Sequence, residues 1–320
     1  MSDNDAPPVD PLFATSLEKA GLGRFAEPLA AAGWDLAALA SATDKILAEI
    51  GLTPSEMVVL REVLSGGEAA GWRTTGDPES ATREVPFVNC LGMLFVPVPR
   101  FKALFSICLV RILDYEIFCD KTECAMPGVD YAQEADHPVV NVSWKEACEF
   151  CRWLNDVDRV RSAIPENFSY RLPTDAEWSA AVGLPSEVSA MPKALDGGVP
   201  GYPWGPHFPP PVGAGNYSPV LNVDDFRETS PVASFPPNAF GIYDLGGNVW
   251  EMCLDRYDAD ENSRVARGAS CFNDGEEYLR SSARNKIKRD TGRNNVGFRV
   301  VLGPDLRQDP MMRVRQDPWG

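Results

Sequence analysis

The sequence predicts an α+β protein with much irregular structure, preceded by a small all-α bundle. Three observations carry this expectation. Residues 12–66 space their apolar side chains three and four apart, as amphipathic helices do. From Phe87 onward short strand-like runs take over, and the 28 Pro and 26 Gly spread along the 320 residues mark many turns between them. Within that second region two Ser/Thr-x-x-Glu signatures, Ser143 to Glu146 and Thr174 to Glu177, announce helices. A hydrophobic share of 44% with 8 Trp supplies a sizeable core, and the length suits two domains.

The helical part comes first, over residues 12–66. Leu17 and Ala20 lead into Phe25 and Leu29, Gly33-Trp34-Asp35 interrupts, and Leu36 and Leu39 resume the spacing. A last helix is expected from Thr53 as N-cap, Pro54 at the first helical position and Glu56, with Met57, Leu60 and Leu64 as its buried stripe. Residues 67–86 read as a linker of Gly, Ser, Thr and charge, and residues 303–320 as a C-terminal tail. The run from Leu17 to Leu64, with Leu22-Gly23 before Phe25, the Gly33-Trp34-Asp35 turn and Ile50-Gly51-Leu52, resembles a sterile alpha motif (SAM) domain. That resemblance implies self-association or adaptor binding.

In the larger region, Leu94 to Val98 suits a strand, with Pro97 favouring an edge. Behind Ser143, Trp144, Ala147, Cys148, Cys151 and Leu154 make one apolar helix face, so the two cysteines read as buried small hydrophobes. A net charge of −16 argues against nucleic-acid binding. The charge is uneven: residues 264–320 hold 12 Lys/Arg against 7 Asp/Glu. No positively charged start leads an apolar run, and no apolar stretch is long enough for a membrane span, so the expectation is a cytoplasmic protein whose eight cysteines stay reduced.

Seven segments, in chain order, carry a family resemblance. They are NCLGMLFVPV (89–98), DHPVVNVSWKEACEFCRWLN (136–155), YRLPTDAEWSAA (170–181), YPWG (202–205), TSPVASFPPNAFGIYDLGGNVWEMC (229–253), RVARGAS (264–270) and VGFRVV (296–301). Over residues 87–302 the chain thereby resembles the sulfatase-modifying-factor domain of formylglycine-generating enzymes, which implies a C-type-lectin-like fold. Members of that family that oxidise their substrate hold copper(I) on two cysteines after an Arg-Gly-Gly-Ser motif. The matching motif here is Arg267-Gly268-Ala269-Ser270, and the cysteine positions fall on Asn273 and Tyr278. Cys271 stands two residues early. Relatives with a histidine-held iron need a His cluster, and this chain has only His137 and His207. Neither copper nor iron is therefore expected.

The resemblance also implies structural calcium, for which hard oxygen donors from loops are suited. One set maps to Asn216, Tyr217, Asp224 and Phe226; the other to Asp244, Gly247, Val249 and Glu251. The same acidic residues could instead cap turns. With the oxidising pair gone, the sequence favours a non-catalytic recognition protein, binding a protein or small molecule through the polar segment 271–295. Its candidate contacts are Asn273, Asp274, Glu276, Tyr278, Arg280, Asn285, Lys286, Lys288 and Arg293. The layout is similar to that of the variable proteins of diversity-generating retroelements. The alternative is a formylglycine-generating-type oxidoreductase with a non-standard centre.

Overall fold

The computed structural model describes residues 10, 13–15, 17, 22–42, 44–52, 60, 76–160, 163–186 and 191–306. The chain forms two compact units, Met1–Thr74 with Asn89–Met93, and Thr75–Val88 with Leu94–Gly320. In the first unit, helices α1 (Ala26–Ala31), α2 (Leu36–Ser41) and α3 (Asp44–Glu49) surround a cluster of Leu17, Leu22, Leu29, Leu39, Leu47 and Leu60, all buried. Asp35 caps α2 by accepting the Ala38 amide at 2.7 Å, so the Gly33-Trp34-Asp35 break ends one helix and starts the next. The expected last helix, with Thr53, Pro54, Glu56, Met57 and Leu64, lies outside the described residues except for Leu60, as do the linker residues 67–75 and the tail from 307.

The second unit is built on two sheets. The larger has the order β1 (Phe87–Val88), β2 (Leu94–Pro97), β3 (Leu104–Ser106), β9 (Val301–Pro304), β4 (Phe168–Arg171), all antiparallel. The domain's last strand thus sits between an early and a middle one, pairing Leu302 with both Leu104 and Tyr170. Pro97 is tolerated on an inner strand because β1 pairs only Leu94 and Phe95, leaving the proline's far side unpaired and exposed. The smaller sheet has the order β7 (Asn285–Lys288), β6 (Ser263–Arg267), β5 (Trp250–Met252), β8 (Val296–Gly297), with only the β5–β8 pair parallel.

Between the strands run α4 (Ile112–Thr122), α5 (Trp144–Val160), α6 (Asp175–Ala181) and the single turn α7 (Glu276–Leu279). The helix α5 buries the face expected of it, including both Cys148 and Cys151. Its capping box is formed: the Ser143 amide donates to Glu146, and the Glu146 amide donates to Ser143 Oγ. Thr174 and Glu177 form the same reciprocal pair at the start of α6. Among the described residues no helix is long and apolar enough to cross a membrane.

Three buried ion pairs tie these elements together. Arg171 meets Glu177 with two 2.7 Å hydrogen bonds. Arg299 holds both carboxylate oxygens of Glu251, and neither side chain touches solvent. Asp175 takes two arginines at once, Arg267 and Arg284. Burial pushes the Asp175 carboxyl up, but the two guanidinium groups outweigh it and hold it below the usual carboxylate range.

Candidate functional site

The loop Asp244–Asn248 is the hinge of the site, and its backbone explains its glycines. Asp244, Gly247 and Asn248 all take left-handed conformations. A Cβ on Gly247 would stand 2.3 Å from the Asn216 carbonyl oxygen, so only glycine lets these two loops touch. Asn248 exploits that approach. Its amide donates to the Asn216 carbonyl, its side chain exchanges two hydrogen bonds with the Ser230 backbone, and its carbonyl accepts the Cys271 amide. One buried asparagine therefore joins the 216 loop, the 230 loop and the turn after Arg267-Gly268-Ala269-Ser270.

That turn is closed from inside. Asn273 Oδ1 accepts from both the Ser270 amide (3.0 Å) and the Ser270 hydroxyl (2.8 Å), and Asn295 adds a bond to the same hydroxyl. The Cys271 thiol is fully buried, and burial pushes it up to about 12. Phe272 is partly exposed and meets the Tyr131 ring edge-on, at 6.4 Å. The Tyr131 hydroxyl donates to the Asn294 carbonyl, and burial, with the Cys271 sulfur second, pushes its pKa above the ordinary phenol value. Behind Tyr131, Gln133 donates to the Thr229 hydroxyl, whose oxygen lies 3.0 Å from His137 Nδ1. Burial holds His137 below its ordinary value, with Asp136 and Glu134 opposing it.

A copper(I) centre of the two-thiolate kind does not fit these residues. Asn273 offers an amide already committed to Ser270, Tyr278 is an exposed phenol on α7, and the Cys271 thiol is buried and protonated. Among the described residues no three His, Cys, Asp or Glu side chains gather as a metal set.

The first candidate calcium set is drawn together by Asp224, whose two oxygens accept the Tyr217 and Phe226 amides at 3.0 and 2.9 Å. Asn216 donates its amide to the Glu228 carbonyl, while its buried Oδ1 has no hydrogen-bond partner among the described residues. In the second set Glu251 is already gripped by Arg299, and Val249 and Gly247 are buried backbone. Burial pushes the Asp244 carboxyl up to about 6, with Glu251 adding to the rise and the Ala233 amide and Arg299 opposing it. The acidic residues do cap turns, Asp224 by accepting the Tyr217 and Phe226 amides and Asp244 by accepting the Ala233 amide.

The polar segment 271–295 is not one exposed surface. Ser281 to Arg284 are buried, and Arg284 belongs to the Asp175 ion pair. Asn285, Lys286 and Lys288 sit on β7, where Lys286 bridges Asp258 and Asp260. Glu276 pairs with Arg280 and accepts from the Tyr202 hydroxyl. Asp274 and Arg293 are exposed, and the Arg293 carbonyl accepts the Asn141 and Val296 amides. Tyr131, Thr229, Asn248 and Asn295 were not anticipated as site residues. Their sequence context is loop, and only Thr229 and Asn248 stood inside a recognised motif.

Residues 113–303 match the sulfatase-modifying factor enzyme 1-like domain. The inactive C-alpha-formylglycine-generating enzyme 2 of Bos taurus is 34% identical over 191 residues, 56% of this chain and 54% of that protein. The formylglycine-generating enzyme of Bos taurus is 32% identical over 201 residues, 55% of this chain and 46% of that protein. The chain thus spans about half the length of these curated relatives. Among solved structures, PvdO from Pseudomonas aeruginosa superposes with a TM-score of 0.47 at 20% identity, over 72% of this chain and 90% of that one. The expected family and α+β class hold. The expectation of a non-catalytic recognition protein, with its retroelement analogy, is overturned. The relatives that share the whole domain at about 30% identity include formylglycine-generating enzymes, and the proposed binding segment is half framework.

Proposed function

Since this chain belongs to the sulfatase-modifying factor enzyme 1-like family, we propose that it is a formylglycine-generating-type oxidoreductase with a non-standard centre, acting on a cysteine-bearing polypeptide. The observation that carries this reading is the preserved frame around the Ser270 turn: Asn248, Ser270 and Asn295 hold the turn, and Tyr131 and Phe272 wall it. Cys271 is the one thiol in that turn. To pair with a substrate thiol it must lose its proton against burial, and forming that S–S bond releases two electrons and two protons, for which dissolved dioxygen would be the acceptor, so activity rises with pH. The test is oxidation of a Cys-x-Pro-x-Arg peptide by the purified chain, with Cys271→Ser as control. Formylglycine or peptide disulfide lost on Cys271→Ser supports the reading. A silent protein overturns it and puts the chain with the inactive relatives, a result that Asn273 and Tyr278 at the cysteine positions would explain.

Calcium enters as a structural ligand. Asn216 Oδ1, the Tyr217 carbonyl, Asp224 and the Phe226 carbonyl would hold one ion; Asp244, the Gly247 and Val249 carbonyls and Glu251 a second. The unpartnered Asn216 oxygen and the strained ionisation of Asp244 favour this, because a hard cation relieves both. The ion would brace two loops against Asn248 and take no part in chemistry. The helical unit, through its SAM resemblance, would supply self-association or adaptor contact with a protein partner. Light scattering on the full chain across concentration tests that role, and a monomer at every concentration and salt refutes it.

A further inference from the structure

The end of α4 carries a feature that neither the family match nor the proposed centre uses. Glu123 takes a left-handed conformation directly after the helix, and its amide bonds back to the Cys119 carbonyl. The next amide, Cys124, bonds to the same carbonyl at 3.2 Å. This six-to-one closure is a Schellman ending, in which the residue three before the helix end and the second one past it bring their side chains together. In most proteins that contact is apolar. Here both residues are cysteines, and the backbone closure folds Cys124 back onto the turn that carries Cys119. Cys119 is buried and also points its thiol at the Ala125 carbonyl, whereas Cys124 is exposed.

We propose that Cys119 and Cys124 are a dithiol modification site that closes to a disulfide by exchange with a low-molecular-weight disulfide such as oxidised glutathione. The exposed Cys124 thiolate attacks one sulfur of the reagent, forming a mixed disulfide and releasing one thiolate. Cys119, held beside Cys124 by the helix ending, then attacks the Cys124 sulfur, and the second thiolate leaves. Two protein thiols are oxidised, one external disulfide is reduced to two thiols, and the two protein protons go to the leaving groups. Burial pushes the Cys119 thiol up to about 12, so the second step is the slow one and quickens with pH.

The ring would anchor the strap that follows. Met126, Pro127, Val129 and Tyr131 line a cleft of about 220 Å³ over Ile112 and Val139. The strap is already held at Gly128, whose carbonyl accepts from Asn141, and at Tyr131, whereas its start at Cys124 is exposed and held by the helix end and the weak Cys119 thiol bond to the Ala125 carbonyl. Closure thus converts a hinge into a fixed corner beside Tyr131.

The full chain is incubated with oxidised glutathione, quenched in acid and mapped by mass spectrometry. The expected product is a Cys119–Cys124 disulfide without retained glutathione. Cys119→Ala should stall as a stable glutathione adduct on Cys124, and Cys124→Ser should leave Cys119 unmodified. Closure should slow cleavage of residues 124–131 by a broad-specificity protease by roughly tenfold in the parent and not in Cys119→Ala. A glutathione adduct on Cys124 of the parent chain that persists as the pH is raised overturns the proposal. So does a disulfide that joins either residue to another cysteine. Circular dichroism of Cys119→Ala, superposable on that of the parent, confirms that the comparison is between folded proteins.

Discussion

The ion pairs around Asp175 and the turn from Ser270 to Tyr278 are neighbours in the same small sheet region, yet they obey different rules. Around Asp175, two arginines reach one carboxylate from positions 92 and 109 residues away in sequence, and all three side chains are shielded from water. Replacing Asp175 leaves both arginines buried without their carboxylate. In the turn, Asn273 closes a loop of its own with neutral hydrogen bonds, and Tyr278 is about half exposed. Side chains there can be exchanged without stranding a charge. The ion-paired frame is therefore fixed by the cost of breaking it, and the turn is not.

The largest effect should come from Asp175→Asn. It leaves Arg267 and Arg284 buried with no carboxylate, and breaking a buried pair costs roughly 3–5 kcal/mol. Urea unfolding reads this directly. A loss under 1 kcal/mol would show that the frame is no stiffer than the turn, and the contrast would collapse.

How much of this was legible beforehand follows the same division. The capping boxes at Ser143 and Thr174 were visible because their partners lie three residues apart, and the buried face of α5 because helical spacing is local. The family motifs gave the order of the frame. The Asp175 triad was not readable, since nothing in Thr174-Asp175-Ala176-Glu177 distinguishes a capping acid from one that binds two distant arginines. Segment 271–295 read as uniform polar surface because composition cannot separate the buried Arg284 from the exposed Lys286 and Lys288. Tyr131 escaped for a similar reason: a lone aromatic in a loop carries no periodicity.

Next in size is the pH response of Asp244. Its folded-state ionisation stands near 6, against an ordinary value of 3.8. Between these values the unfolded chain has released its proton while the folded one retains it, so stability falls as pH rises from about 4 to 6. A rise of about two pKa units corresponds to up to about 3 kcal/mol. Asp175 and Glu177, held below their ordinary values by arginines, act with the opposite sign and lose their contribution as pH falls below about 4. Asp244→Asn should flatten the decline between pH 4 and 6 in chelator-treated protein. An unchanged slope would mean that Asp244 ionises in the folded chain much as it does in the unfolded one.

The proposed calcium would supply a related but separable effect. A ligand present at a hundred times its Kd stabilises the folded state by about 2.7 kcal/mol. Chelation should therefore lower the melting temperature, and Asp224→Ala should abolish part of that shift while leaving the Asp175 pair untouched. Identical melting curves with chelator and with excess calcium, together with a metal-free elemental analysis, would remove calcium from the account.

The smallest effect belongs to the turn itself, and it probes the contrast most finely. Asn273→Ala removes two hydrogen bonds from Ser270, worth roughly 0.5–1.5 kcal/mol each before water replaces them. The Ser270 hydroxyl keeps its bond from Asn295, so a total loss near 1 kcal/mol is expected. Tyr278→Ala, at an exposed position, should stay within about 0.5 kcal/mol of the parent. If the turn serves only to hold the frame, both variants should change peptide oxidation no more than they change stability. If it is the reacting centre, Asn273→Ala should lower kcat/KM on the cysteine peptide well beyond the fraction unfolded, because Ser270, Cys271 and Phe272 would lose their fixed geometry while Asp175, Arg267 and Arg284 kept theirs. Measuring stability and kcat/KM on the same preparations separates these outcomes, and a proportional fall in both would place the chemistry elsewhere in the domain.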